Sequence, residues 1–311
     1  MTDASTCLCC GKPLPAGTGC KSLRDRRKGL RGAWCLAECA ECGSSSIIPT
    51  PTDAELAEYY AAYTTEGRIE VKTGHGSHFP VLRMILHYIS GDVDPRDFVE
   101  ISPASRVLDY GCGQGSYLRY FHERGIDIHG AEVTDTLVDA TRMHGLSVKK
   151  VTDFSSLPFA DAEFDVVYLM QVFEHLRDPK RFMRELSRVL KRGGALYLAV
   201  PNASSTWRRL FRSNWVSGYF VPFHLVNYTD DALANLGSEY GFRRIRNWSR
   251  TPDSWFRLNL KAMMYPRETM LDSFKCWIDI APMRILLIIA LRLCEVFFRE
   301  RDCLVMRFEK V

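Results

Sequence analysis

Short apolar runs alternating with longer stretches of helical periodicity dominate the middle of the chain. Arg106–Tyr110, Asp127–Glu132, Ser147–Thr152, Phe164–Met170 and Ala195–Val200 have the length and character of single strands, and the segments between them repeat apolar positions at helical spacing. Strands that alternate with helices build a parallel sheet covered on both faces, so the pattern predicts a doubly wound α/β fold. Two later runs, Phe242–Trp248 and Leu304–Phe308, raise the expected count to seven strands. Upstream, Thr52-Asp53-Ala54-Glu55 has the form of a helix start with acidic residues in its first turn. Leu56, Tyr59, Tyr60 and Tyr63 follow at helical spacing, and a second helix is expected over Phe79–Ile89. The longest apolar stretch, Met283–Phe298, is 16 residues long and interrupted by Arg284, Arg292 and Glu295. A membrane span needs roughly 20 apolar residues. The stretch is therefore expected to be a helix docked on the sheet, at a dimer contact, or peripherally on a membrane surface.

Residues 1–50 are rich in Cys and Gly and end in Pro49-Thr50-Pro51, a stiff break between modules. The expected organisation is a zinc-ribbon-like module over 1–50 and a helical cap or linker over 51–100. A Rossmann-like sheet domain follows over 101–311. Asn202–Tyr228, rich in Trp, Phe, Arg and Ser, is expected to form part of a cap insertion of about 202–240 over the sheet's carboxyl edge.

Composition narrows the classes of function. With 311 residues, 46% hydrophobic and 25% charged, the chain can build a large core, which excludes disordered and fibrous proteins. A net charge of +4 is too small for the basic stripe of a nucleic-acid binder. The start, Met1-Thr2-Asp3-Ala4-Ser5-Thr6-Cys7, lacks the features of a signal peptide, so a cytoplasmic protein is expected. In that compartment cysteines bind metal or stay reduced more often than they pair.

Seven of the 11 cysteines fall in the first 42 residues. Cys7-Leu8-Cys9-Cys10-Gly11 and Cys39-Ala40-Glu41-Cys42-Gly43 are two Cys-x-x-Cys-Gly units, and such pairs supply the four thiolates of a tetrahedral Zn2+ site. Cys7, Cys10, Cys39 and Cys42 are the expected ligands, with Cys9, Cys20 and Cys35 as spare candidates. Four ligands leave no open position, so the ion is expected to be structural; a docking surface for substrate, carrier or RNA is the alternative use of such a ribbon.

Val107-Leu108-Asp109-Tyr110-Gly111-Cys112-Gly113-Gln114-Gly115 runs from a strand into a glycine turn and then a helix. Glycines there let backbone approach a ligand at a strand's carboxyl end. Glu132 ends the next strand, where a carboxylate can accept from both hydroxyls of a ribose. Asp153-Phe154 follows the third strand, placing a carboxylate and a ring where an adenine could be held.

With Leu157-Pro158-Phe159, Glu174-His175-Leu176, Gly193-Gly194 and Pro201-Asn202 in the same order, the chain resembles the class I S-adenosylmethionine-dependent methyltransferases over roughly residues 105–202. The leading cysteine units resemble those of a subset that often acts on sugars, polysaccharides or other secondary metabolites. The resemblance implies that Asp109, Gly111, Gly113 and Gly115 hold the methionine portion of S-adenosyl-L-methionine. It further implies that Glu132 takes the ribose, that Asp153 and Phe154 meet the adenine, and that Gln171 lies under the methionine tail. Tyr59, Tyr60 and Tyr63 either close over the sulfonium or form the packed face of a helix.

Methylation of an alcohol requires removal of its proton, and His224 and His175 are the candidate catalytic residues. Related quinone-pathway enzymes carry a Glu at the position of Gln171, within a set that can hold a divalent ion. The exchange removes one oxygen ligand, so no catalytic metal is expected. Arg208, Arg209 and Arg212 are candidates to receive a phosphate on the acceptor. The function expected is O-methylation of a small-molecule or glycan-type acceptor. A zinc-ribbon rRNA methyltransferase and a non-catalytic zinc-ribbon binding module are the alternatives.

Overall fold

The computed structural model describes residues 6–15, 21–64, 89–151, 156–268, 270–298 and 300–311. Strands β1 (Lys21–Leu23), β2 (Trp34–Glu38) and β3 (Ser45–Ile48) precede helix α1 (Asp53–Thr64). The alternating region follows as β4 (Arg106–Tyr110), α2 (Ser116–His122), β5 (Asp127–Glu132), α3 (Asp135–Met143), β6 (Val148–Lys150), β7 (Phe164–Met170), α4 (Pro179–Val189) and β8 (Leu190–Pro201). A two-residue strand β9 (Val226–Asn227), α5 (Asp230–Glu239), β10 (Phe242–Arg250), α6 (Asp253–Met264), α7 (Ala281–Glu295) and β11 (Cys303–Lys310) follow, with shorter helical turns between.

The seven-stranded sheet runs β6-β5-β4-β7-β8-β11-β10, with β11 antiparallel to both of its neighbours. The other pairs are parallel. From β4 the chain winds outward through β5 and β6, then returns to β7 on the other side of β4. That reversal opens a crevice between the carboxyl ends of β4 and β7, the place where doubly wound sheets bind ligands.

The central strands are apolar on both faces because helices cover both. Val107, Leu108, Val166, Val167, Leu169, Leu196, Leu198 and Val200 are all buried. Helix α4 shows how the sequence sets one of these covers. Asp178 caps it by accepting from the Arg181 amide at 2.9 Å, Pro179 starts it, and Phe182, Met183, Leu186 and Val189 form its buried face. Each such side chain contributes about 1.5–3 kcal/mol by leaving water. The strand expected at Ser147–Thr152 is reduced to β6, whereas β8 starts at Leu190 and runs through Gly193-Gly194. Strand β10 forms an edge with Arg243, Arg244 and Arg246 exposed, charges that discourage pairing with another chain. The helix expected over Phe79–Ile89 falls almost wholly outside the described residues.

The cysteine segment packs directly on the large domain. Its sheet, β1-β2-β3, takes its fourth strand, β9, from the cap insertion, with Ser45 opposite Asn227 and Ser46 opposite Val226. Lys180 Nζ donates to the Cys10 carbonyl at 2.9 Å and Thr229 Oγ1 to the Cys42 carbonyl at 3.2 Å. Arg26 donates to the carbonyls of Ala262 and Tyr265 and to Asn214 Oδ1. A single apolar cluster joins Cys7, Trp34 and Ile47 to Leu196 and Tyr228.

Helix α7 buries only Leu291 and Glu295, and leaves Ile285, Leu286, Ile289 and Leu293 more than half exposed. Among the described residues no helix is long and apolar enough to cross a membrane.

Candidate functional site

The glycine turn leaves β4 at Tyr110. Gly111, Gly113 and Gly115 have φ of +78°, +53° and +71°, values that side chains disfavour, which lets the turn reverse tightly into α2. A Cβ on Gly111 would lie 2.4 Å from Val172 Cγ2, so the turn packs directly on the segment leaving β7. Around Gly113 nothing lies within 4 Å of such a Cβ, and the backbone is bare there.

Glu132, buried at the end of β5, accepts from the Gly113 amide at 2.9 Å. It also accepts from the Val133 and Thr134 amides at 2.8 and 3.0 Å. Its carboxylate thus pins the glycine turn to the neighbouring strand. Asp109 is buried in β4 with Oδ2 unpartnered, and burial pushes its carboxyl up to about 7. Gln171 follows β7 with φ +56°; its Nε2 donates to Cys303 Sγ while its Oε1 is buried without a partner. Asp153 and Phe154 lie outside the described residues.

Beyond Gln171, Phe173–His175 forms a single 3-10 turn that meets the cap insertion. The Leu225 amide donates to the Glu174 carbonyl at 2.8 Å, and His175 Nδ1 lies 2.9 Å from the Phe223 carbonyl. His224, buried in the cap, sets Nδ1 2.7 Å from the Gly218 carbonyl and Nε2 3.7 Å from Glu174 Oε1. A carbonyl only accepts, so in both neutral imidazoles Nδ1 carries the proton and Nε2 the lone pair. Neither carboxylate oxygen of Glu174 has a hydrogen-bond partner, and burial pushes that carboxyl up to about 8. Burial lowers His175 to about 4 and His224 well below its ordinary value. Sequence alone marks Glu174 only as a motif position. Its signal is the one acidic residue between Met170 and Leu176.

Of the three tyrosines, Tyr59 packs edge-on against Trp34 of the cysteine segment. Tyr60 places its hydroxyl 3.0 Å from His175 Nδ1 and its ring against Phe223. The side chain of Tyr63 lies outside the described residues. Arg27, which sequence reasoning passed over, stacks on Phe220 at 3.8 Å and pairs with Asp272. Arg208 is taken up by Glu38 and by the Ala203 carbonyl, so it ties the cap to the cysteine segment. Arg209 and Arg212 are exposed.

Cys7, Cys10, Cys39 and Cys42 converge within the cysteine segment, every Sγ within 4.8 Å of the others. Cys7–Cys42 and Cys10–Cys39 are 3.7 and 3.5 Å apart, close to the roughly 3.8 Å separation of sulfurs placed tetrahedrally at 2.3 Å from one zinc. The two units are built alike: the Gly11 amide donates to the Cys7 carbonyl and the Gly43 amide to the Cys39 carbonyl. Cys9 turns its thiol toward the Ala232 carbonyl and also lies against Cys42. Cys35 is in a disulfide, contrary to the expectation of metal-bound or reduced cysteines, and therefore supplies no ligand. Cys20 lies outside the described residues.

Comparison with known proteins agrees with this architecture. The family described as "Methyltransferase domain" matches residues 82–247, more than half of the chain. The chain belongs to this family, the class I S-adenosylmethionine-dependent methyltransferases. It is 30% identical over 129 residues to a ubiquinone biosynthesis O-methyltransferase of Idiomarina loihiensis, covering 40% of this chain and 50% of that one. It is 36% identical over 123 residues to a glycine/sarcosine/dimethylglycine N-methyltransferase of Actinopolyspora halophila, covering 36% of this chain and 21% of that one. The chain thus spans half or less of the length of these two curated relatives.

Proposed function

We propose that this enzyme transfers the methyl group of S-adenosyl-L-methionine to a hydroxyl oxygen of a small-molecule or glycan-type acceptor. The observation that carries the reading is the contact between the glycine turn and Val172. It brings the turn beside the Glu174–His175–His224 cluster at one carboxyl edge. The residues present fit the cofactor: Asp109 Oδ2 and Gln171 Oε1 are buried acceptors without partners, as an ammonium group needs, and Gly113 offers bare backbone. Asp109, Gly111, Gly113, Gly115 and Gln171 would hold the methionine portion, Glu132 the ribose, and Asp153 and Phe154 the adenine. When bound, the cofactor supplies an electrophilic methyl on a sulfonium.

His175 and His224 would set the acceptor hydroxyl in line with the methyl. Tyr60 and Phe223 cover the approach and help exclude water. Arg209 and Arg212 would meet a phosphate on the acceptor. The exposed face of α7 would rest on a membrane surface where the acceptor is lipid-linked. The four thiols would hold one structural Zn2+, with no open position for chemistry. The 1–50 ribbon, the 51–100 linker and the 101–311 catalytic domain would then act as one unit.

The test is incubation of full-length protein with methyl-labelled cofactor and fractionated cell extract, followed by identification of the labelled molecule and atom. Label on a hydroxyl oxygen of a small or glycan-type molecule supports the reading. Label on nitrogen or on RNA overturns it.

A further inference from the structure

We infer that Glu174, His175 and His224 form a second metal site, one that takes a first-row divalent cation through one carboxylate oxygen and two imidazole nitrogens. The three side chains each present a ligand atom, and these atoms lie within 4.8 Å of one another. Ligands at about 2.1 Å from one ion stand roughly 3.0–3.5 Å apart, so the 3.7 Å between His224 Nε2 and Glu174 Oε1 closes onto an ion with a small inward movement.

Three further features suit a metal. A histidine ligand characteristically donates its other ring N–H to a carbonyl, which fixes the tautomer. His175 has this arrangement with Phe223, and His224 has it with Gly218. Glu174 is fully buried with both oxygens unpartnered, a costly state for a carboxylate unless a cation meets it. The nearby Arg27 is paired with Asp272, which offsets its repulsion of an incoming ion.

The backbone also closes the site from both sides. The Glu174 carbonyl accepts from Leu225 and the Phe223 carbonyl faces His175, so the turn after β7 and the cap segment are stitched on either side of the ligands. Residues 171–175 supply only two of the ligands, and the third comes from the cap, 49 positions beyond His175. Mixed nitrogen and oxygen donors favour Mn2+, Fe2+, Co2+ or Zn2+ over Mg2+ or Ca2+. With three protein ligands the ion keeps open positions. Glu174 and His224 are buried and His175 is the partly exposed ligand, with the Tyr60 hydroxyl on its Nδ1 edge, away from the ion.

The consequence for the chemistry deepens, and rests on, the proposed O-methylation. An acceptor hydroxyl bound at an open position loses its proton to solvent more readily. As the cofactor's sulfur–methyl bond breaks, the oxygen–methyl bond forms, and the products are the ether and the demethylated thioether.

The test uses full-length protein with its cysteine site loaded with zinc, titrated with Co2+ and followed by visible absorption and by metal content after gel filtration. The expected result is a second equivalent per chain with weak d–d bands and no thiolate charge transfer. Glu174→Gln and His224→Gln should both lose that equivalent. Retained zinc and unchanged binding of S-adenosylhomocysteine would show that the variants are folded. If His224→Gln does not fold, the isosteric Glu174→Gln decides. Wild-type protein that takes up no second equivalent at saturating Co2+ overturns the site, and so does a folded Glu174→Gln protein that keeps it. Methylation at an atom other than oxygen overturns the proposed reaction while leaving the metal count to stand by itself.

Discussion

Replacing Glu132 separates the duty seen in the structure, pinning the glycine turn, from the one proposed for it, holding the cofactor. In Glu132→Ala, three amides, those of Gly113, Val133 and Thr134, lose a buried charged acceptor. A hydrogen bond to a charged group contributes about 1.5–3 kcal/mol, but the Val133 and Thr134 amides lie at a strand end that water can reach. The net stability loss should therefore be about 2–4 kcal/mol, a fall in Tm of roughly 5–10 °C for a chain of this size. Cofactor binding should suffer separately. Loss of two charge-assisted contacts to the ribose hydroxyls costs about 3 kcal/mol or more, weakening S-adenosylhomocysteine by over ~100-fold. Glu132→Gln keeps the shape and one oxygen but turns an NH2 toward backbone donors. It should lose less stability, about 1–2 kcal/mol, and still bind at least ~10-fold more weakly. Thermal melts and titration calorimetry with S-adenosylhomocysteine read both effects. Wild-type affinity in both folded variants would refute the placement of the ribose on Glu132.

Three further outcomes follow from the structure. Gly111→Ala should abolish detectable S-adenosylhomocysteine binding, because its Cβ falls 2.4 Å from Val172 Cγ2 at a φ of +78°. Adding Val172→Ala should recover part of that affinity, and the double variant's calorimetry checks the steric share. Cys10→Ser, or removal of the proposed zinc by a strong chelator, should lower the melting temperature of the whole chain in one transition, because the cysteine segment shares its core with the large sheet; a large-sheet transition left unmoved would contradict that coupling.

The third concerns Asp302, fully buried and accepting from Ser205 and from Trp215 Nε1 at 2.7 Å. Burial raises its carboxyl from 3.8 to about 7, so the folded state keeps a proton that the unfolded chain releases. Stability should fall as pH rises from about 4 to about 7 and level off above, by up to roughly 4 kcal/mol from this group. Urea melts of Asp302→Asn should show a shallower slope across that window, and an unchanged slope would refute the assignment.

Much of the sheet was legible because parallel strands buried on both faces are written as continuous apolar runs. Arg106–Tyr110 and Phe164–Met170 were therefore found to the residue. Strand β9 was not legible: two residues in an aromatic loop have no period, and they become a strand only because Ser45 and Ser46 offer an edge. The cysteine cluster could be read because its ligands come in short local units. The Glu174–His175–His224 cluster combines an adjacent pair with a residue 49 positions away, which only the fold brings near. Arg208 shows the opposite case. Its charge beside Trp207 suggested an acceptor phosphate, but Glu38, 170 positions upstream, holds it.

The sharing of β9 bears on how this enzyme can be handled. Trimming the first 50 residues to isolate the catalytic fold would strip β9 of its partner and uncover the apolar surface around Leu225, Val226 and Tyr228. An unpaired edge beside an uncovered apolar patch invites association between copies. A shortened protein should consequently precipitate or form oligomers on expression. Substitutions that make β9 and its surroundings polar would be needed before such a fragment could remain in solution.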